Sequence, residues 1–293
     1  MAMTRRTFLE SVAAGAVAAR GVSLGAFAPQ GTRQLRTLGL QLYTVRDAMA
    51  KDVEGTLAKI AAAGYKEVEF AGYFDKTPQD IKAMLGRHGL TSPSTHIAYA
   101  NIGEKWAKVL EDSAAIGHHW IVIPWLDDAT RAQPDVWKKV AENLNKAGEA
   151  TTKAGLQLAY HNHNFEFVPM ADGKLPFDYL LEQCSVDIVK IEMDLCWTVA
   201  AGQDPIEYFK KHPNRITMVH VKDLKRRPVS AAVGTGPVIP DITEVGSGII
   251  DWKGIIGAAY DAKVQHYFVE HDAPASPFDS IQVSLEYLQR LRF

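Results

Sequence analysis

Eight short apolar runs, rich in β-branched and aromatic residues and mostly separated by helical stretches, constrain this chain more than any single motif. They are LGLQLY (38–43), EVEFAG (67–72), TSPSTHI (91–97), HWIVIP (119–124), LQLAYH (156–161), DIVKIEMD (187–194), ITMVHV (216–221) and HYFVEH (266–271). The clearest intervening helix, VEGTLAKIAAAG, has apolar residues at helical spacing and Gly64 where a helix should stop. PDVWKKVAENLNKAGEATTKAG has Pro134 near its start and Gly155 at its end. Strands alternating with helices make βαβ units and a parallel sheet. Eight such units predict the α/β class and a single closed (β/α)8 TIM barrel. No GxGxxG follows the first run, which removes the case for a dinucleotide-binding open sheet. No low-complexity linker divides residues 34–293, so one domain is expected there.

An apolar fraction of 47% in 293 residues is enough for one large core. Lys+Arg 32 against Asp+Glu 34 leaves a net charge of −2, with no basic excess to neutralise phosphates, so nucleic acid is not an expected partner. The body of the chain has no uncharged apolar stretch long enough to span a bilayer. Residues 1–33 read differently. Arg5-Arg6 is followed by Phe8-Leu9, an Ala/Gly/Val run and the small-x-small Ala26-Phe27-Ala28, the pattern of a twin-arginine export signal and leader. The mature protein is therefore expected in the periplasm or outside the cell. Cys184 and Cys196 flank a predicted strand; six residues of strand span roughly 20 Å, too far for a disulfide.

In such a barrel the active site forms at the C-terminal ends of the strands, where this chain concentrates its polar residues. Gln41 and Tyr43 end the first run, Glu69 the second and His96 the third. His161, His163 and Glu166 follow the fifth; Glu192 and Asp194 end the sixth, His220 and Lys222 the seventh, and Glu270 and His271 the eighth. Residues two apart share a face of a strand, so Glu192 goes with Asp194 and His220 with Lys222. Carboxylates and imidazoles converging on one mouth repel or stay unpaired unless a cation joins them. Mixed oxygen and nitrogen donors suit one divalent ion, Mn²⁺, Co²⁺, Zn²⁺ or Mg²⁺.

The segments LGLQLYTVR, YHNHNFEF, IEMDLCWTVAAGQDP, MVHVKD, EVGSGIIDW and VEHD together resemble the xylose isomerase-like TIM barrels, in particular the sugar phosphate isomerase/epimerase group. The resemblance covers residues 37–293. It implies a divalent cation held by a Glu, an Asp, a His and a second Glu, the last three falling on Asp194, His220 and Glu270. Many relatives have a glutamate where this chain has Tyr160-His161. The fourth ligand is therefore either His161 or a Glu166 folded back from the loop, and Glu166 is favoured because it restores the usual carboxylate count.

The expected function is a metal-dependent sugar or keto-sugar isomerase or epimerase acting through an enediolate. Glu166, Glu270 and His163 are the candidate catalytic groups. Gln41, Tyr43, Glu69, His96, His161, Trp197 and Lys222 are the candidate contacts to a small sugar substrate. A metal-dependent lyase, hydrolase or dehydratase acting on 3-keto-glycosides or related polyols is the alternative, and a non-catalytic periplasmic sugar-binding protein a more distant one. Association of copies into a homo-oligomer is left open.

Overall fold

Strand alternation sorts this chain's residues between two surroundings. The computed structural model describes residues 32–226 and 240–293, of which Arg33–Phe293 belong to one compact unit. Eight parallel strands lie inside the eight predicted runs: β1 (Gly39–Gln41), β2 (Glu67–Phe70), β3 (Thr91–His96), β4 (Trp120–Ile123), β5 (Gln157–His161), β6 (Val189–Asp194), β7 (Ile216–Val221) and, last in the chain, β10 (His266–Val269). Each pairs with its neighbour, and β10 pairs with both β7 and β1 to close the barrel. Between β7 and β10 lies a short antiparallel ribbon of β8 (Asp223–Leu224) and β9 (Ile242–Thr243).

Outward residues such as Phe70, Ile121, Leu158, Ile191, Val219 and Val269 join helix residues including Leu57, Ile60, Val140 and Leu144 in one continuous apolar cluster. The helices begin and end as their sequences require. Val53–Ala63 starts at Asp52, whose carboxylate accepts the Gly55 N–H, and stops at Gly64 with φ 116°.

Inward residues form a separate buried cluster of Trp120, Val122, Ala159, Met218 and Phe268, an apolar plug within the barrel. C-terminal to it the strands turn Gln41, Glu69, His96, His161, Asp194, His220 and Lys222 inward. β1 ends at Gln41, earlier than the run LGLQLY suggests. The Gln41 side chain accepts the Tyr43 N–H and caps a 3₁₀ turn over Leu42–Val45, which leaves Tyr43 beyond the strand and 42% exposed.

Asp223 explains the segment EVGSGIIDW. Its carboxylate accepts the backbone N–H groups of Leu224, Gly246, Gly248 and Ile250 and the Trp252 indole N–H, at 2.8–3.2 Å. The chain thus folds around one buried acid, facing away from Lys222.

The export pattern read from residues 1–33 lies almost wholly outside the described residues. Cys184 and Cys196 are buried free thiols. Among the described residues, no helix is long and apolar enough to cross a membrane.

The plug also makes a stability prediction. A Cβ on Gly39 would lie 2.4 Å from the Phe268 ring, so Gly39→Ala forces Phe268 out of the plug. Overpacking of this kind costs about 1–3 kcal/mol. Urea unfolding of the full-length chain should show a lowered midpoint, and an unchanged midpoint would mean that Phe268 is not confined there.

Candidate metal centre and active site

Above the plug, adjacent strands place their inward side chains in register. Gln41 pairs with Glu69, Glu69 with Ser94, His161 with Glu192, and Asp194 with His220. Glu69, Glu192, Asp194 and His220 are fully buried, with His161 at 2%, Lys222 at 1% and Glu270 at 7% exposure. So many ionisable groups out of water must compensate one another.

They form two groups that share His220. In the deeper one, His220 Nε2 lies 2.7 Å from Glu69 Oε2 and 3.3 Å from Glu192 Oε2, while His96 Nε2 lies 3.1 and 2.8 Å from the same oxygens. Gln41 Nε2 donates to Glu69 at 2.6 Å, and the Ser94 hydroxyl donates to its other oxygen. In the outer group His161, Asp194, His220 and Glu270 each offer one ligand atom, and these atoms all lie within 4.8 Å of one another. His220 Nδ1 is 2.9 Å from Glu270 and 3.2 Å from His161 Nε2.

This outer set has the composition of a divalent-cation site. Two buried imidazole nitrogens face each other at 3.2 Å, where at most one can donate to the other. Asp194 Oδ2 accepts no well-oriented hydrogen bond, although Lys222 Nζ is 2.9 Å away as an ion-pair partner. Two imidazoles with two carboxylates suit Mn²⁺, Co²⁺ or Zn²⁺. The deeper group supports this set: Glu69 contacts His220 Nε2 and orients Nδ1 toward the outer donors.

Lys222 anchors the opposite side. Its ammonium sits 2.9, 2.6 and 2.7 Å from Asp194, Glu270 and Asp272. Burial opposes its charge, but these carboxylates hold its pKa well above the usual lysine range. In the same way burial opposes the charged forms of Glu270 and Glu69, yet Lys222 and His220 hold the first, and His96 and His220 the second, well below the carboxylate range. Burial would lower His96, but Glu69 and Glu192 raise it to about 9. His163 is pushed well below the imidazole range, by burial first and His161 second, and its Nδ1 is buried without a partner. Burial raises the Asp272 carboxyl, and this side chain, 30% exposed, reaches the opening of the mouth.

The sequence-predicted residues divide accordingly. Gln41, Glu69, His96, His161, Asp194, His220, Lys222 and Glu270 come together. His163 stands beside them, its ring 5.0 Å from that of His161. Trp197 is 8% exposed, 5.6 Å from Lys222 Nζ, with an unpartnered indole N–H. Tyr43 lies at the rim, packed against the Arg46 guanidinium.

Glu166 is elsewhere, contrary to the expectation that it folds back into the mouth. Tyr160 alternates with His161 and so points out of the barrel, where its hydroxyl donates to Glu166 Oε1 at 2.7 Å; the His163 N–H donates to Oε2 at 2.9 Å. The carboxyl is held behind the barrel wall, and burial raises it to about 8. His161 occupies the position that Glu166 was expected to fill.

Asp272 and Asn162 were not singled out in the sequence. Asn162 accepts the Asp194 N–H at 3.1 Å and donates to Thr198 at 3.2 Å, clamping the end of β6 to that of β5. The signals were available: Asp272 closes VEHD, and Asn162 lies between the two histidines of YHNHNFEF.

Comparison with known proteins agrees with this architecture. Residues 57–291 match the family model described as xylose isomerase-like TIM barrel. An inosose dehydratase of Lacticaseibacillus casei is 24% identical over 269 residues, covering 80% of this chain and 88% of that protein. Another, from Clostridium perfringens, is 28% identical over 265 residues, covering 82% and 87%. A sugar phosphate isomerase/epimerase from Parabacteroides distasonis has a structure similar to this one, with a TM-score of 0.73 at 28% identity over 88% of this chain and 95% of that one. The IOLI protein, whose crystal structure holds a zinc atom, shares the fold with a TM-score of 0.66 at 15% identity, covering 86% and 96%. With its closed eight-stranded barrel and a family match that spans most of its length, this chain belongs to the xylose isomerase-like TIM barrel family.

Proposed function

We propose that this protein is a metal-dependent lyase that removes the proton α to a ketone on a cyclic keto-polyol or keto-sugar and expels the oxygen substituent β to that ketone. The observation that carries the reading is the joining of a cation-binding donor set to an acid–base set, Lys222 with Asp272, across one mouth. Relatives named inosose dehydratase support elimination ahead of the isomerisation or epimerisation favoured by the sequence alone. The twin-arginine pattern would place the folded enzyme in the periplasm, among unphosphorylated substrates.

His161, Asp194, His220 and Glu270 would hold the ion, which supplies Lewis acidity toward the ketone oxygen. The Lys222 ammonium, fixed by its three carboxylates, adds a preorganised positive charge where that oxygen gains electrons. His163, whose Nδ1 has no partner, takes the α-proton. The C–H electron pair becomes the new C=C bond as the β C–O bond breaks. The solvent-facing Lys222–Asp272 pair relays a proton from solvent to the departing oxygen, which leaves as water or an alcohol. His163 then gives its proton to solvent, which returns it and the Lys222–Asp272 pair to their starting states.

Proton NMR of the metal-loaded protein in D₂O, with an inosose and a 3-keto-glycoside as substrates, tests the chemistry. The expected result is loss of the α-proton with appearance of an unsaturated ketone and released water or alcohol. Deuterium incorporated into an intact isomer or epimer would reassign the enzyme to isomerisation. Unchanged spectra with both substrate classes would refute the proposal.

The ligand set has its own test. Asp194→Ala, His220→Ala and Glu270→Ala should each lose the bound metal on dialysis and lower turnover at least about a hundredfold while remaining folded. His161→Gln should weaken metal binding, whereas Glu166→Gln should leave the metal content unchanged. The reverse pattern in that pair would return the fourth position to Glu166.

A further inference from the structure

The chemistry proposed above leaves one part of the mouth unused. Trp125, two residues past the end of β4, is 43% exposed. Its ring stands nearly perpendicular to His163 at 4.7 Å and to Phe165 at 5.0 Å. The Arg131 guanidinium lies 4.2 Å from the Phe165 ring centre and 5.1 Å from that of Trp125. On the inner side, His163 is 5.0 Å from His161 and 5.1 Å from Trp197. An aromatic wall therefore runs from the donor cluster to a tryptophan open to solvent.

Two features set this wall apart from ordinary packing. Its buried donors are unsatisfied: neither Trp197 Nε1 nor Arg131 Nε has a partner, and an orphaned buried donor is costly unless a ligand supplies the acceptor. The positive charge within this wall is also already matched, because Arg131 pairs with Asp128. A free cation suited to a phosphate is therefore not what this wall presents. An exposed indole backed by a paired arginine presents a flat apolar face and hydrogen-bond donors, which suit a ring bearing hydroxyls.

We propose that Trp125, Phe165 and Arg131 form an outer subsite that receives a ring carried on the departing oxygen. The substrate class is then a keto-glycoside with a ring-bearing aglycone, ahead of a free keto-monosaccharide or a sugar phosphate. This rests on the lyase reading and deepens it. A pyranose and an aromatic ring both offer the flat face that stacks on indole, and the test distinguishes them.

Full-length, metal-loaded protein is assayed for kcat/KM on the methyl, benzyl and 4-glucosyl β-glycosides of 3-ketoglucose. Benzyl is used because its alcohol is close to methanol in basicity. At least one ring-bearing glycoside should exceed the methyl glycoside tenfold or more, and whichever gains identifies the ring. Trp125→Ala should abolish that advantage, so that the favoured ring-bearing glycoside loses at least tenfold more kcat/KM than the methyl glycoside. Equal values for all three in wild type, or an equal loss on all three in Trp125→Ala, overturn the subsite. Turnover of an inosose but of no keto-glycoside also overturns it and leaves the lyase reading intact. If no keto compound is turned over, saturation-transfer NMR with benzyl and methyl β-glucoside decides independently. Benzyl signals that vanish in Trp125→Ala uphold the subsite, and their absence in wild type rejects it.

Discussion

The buried charge in the upper half of the barrel sets the terms for the rest of the molecule. Glu69, Glu192, Asp194, Glu270 and Asp272 bring five carboxylates into one contiguous network, and Lys222, His96 and His220 are the groups raised toward their charged forms beside them. Leaving one buried carboxylate without its partner costs about 3–5 kcal/mol, so each acid here touches at least one nitrogen. The excess is still negative, and a divalent ion among His161, Asp194, His220 and Glu270 would offset it. The apolar plug beneath closes the barrel to water from the other end, which keeps these interactions strong.

Alternation along each strand made most of this legible in the sequence. Met218, His220 and Lys222 point in, while Val219 and Val221 point out; ITMVHVK therefore states both the plug and the site. The weak apolar character of TSPSTHI has the same origin, since Ser94 and His96 face the polar interior. At the fifth strand the same rule overrides the choice of Glu166. Tyr160 and His161 must face opposite ways, and a tyrosine hydroxyl buried outside the barrel needs an acceptor. The acid five residues past His161 meets that need, so charge counting favoured Glu166 where strand geometry places the imidazole at the mouth.

What the sequence concealed depends on contacts between distant segments. Asp223 adjoins Lys222 and could be read as its partner. The five donors that surround it instead come from residues 224–252, and no local pattern announces them. Asp272 lies past the end of β10, where strand periodicity no longer says which way a side chain points; its role follows only once Lys222 is seen between three carboxylates. Trp125 likewise follows a strand that ends without a polar residue. The fourth strand therefore looked empty of function, although the residue beyond it faces the mouth.

The histidine in place of a fifth-strand glutamate changes the balance around Lys222. Two carboxylates among the outer donors can neutralise a divalent ion, so a third at position 161 would leave surplus charge for the nearby ammonium to absorb. With His161 there, Lys222 is instead matched by Asp272 as well as by the shared oxygens of Asp194 and Glu270. An ion drawing on Asp194 and Glu270 would loosen their hold on the ammonium and leave Asp272 as its chief counterion. That pair is the part of the network nearest solvent. Ion binding would thereby turn a closed structural network into one with an acid–base couple at its open end, while the deeper Glu69, Glu192 and His96 contacts keep His220 in place.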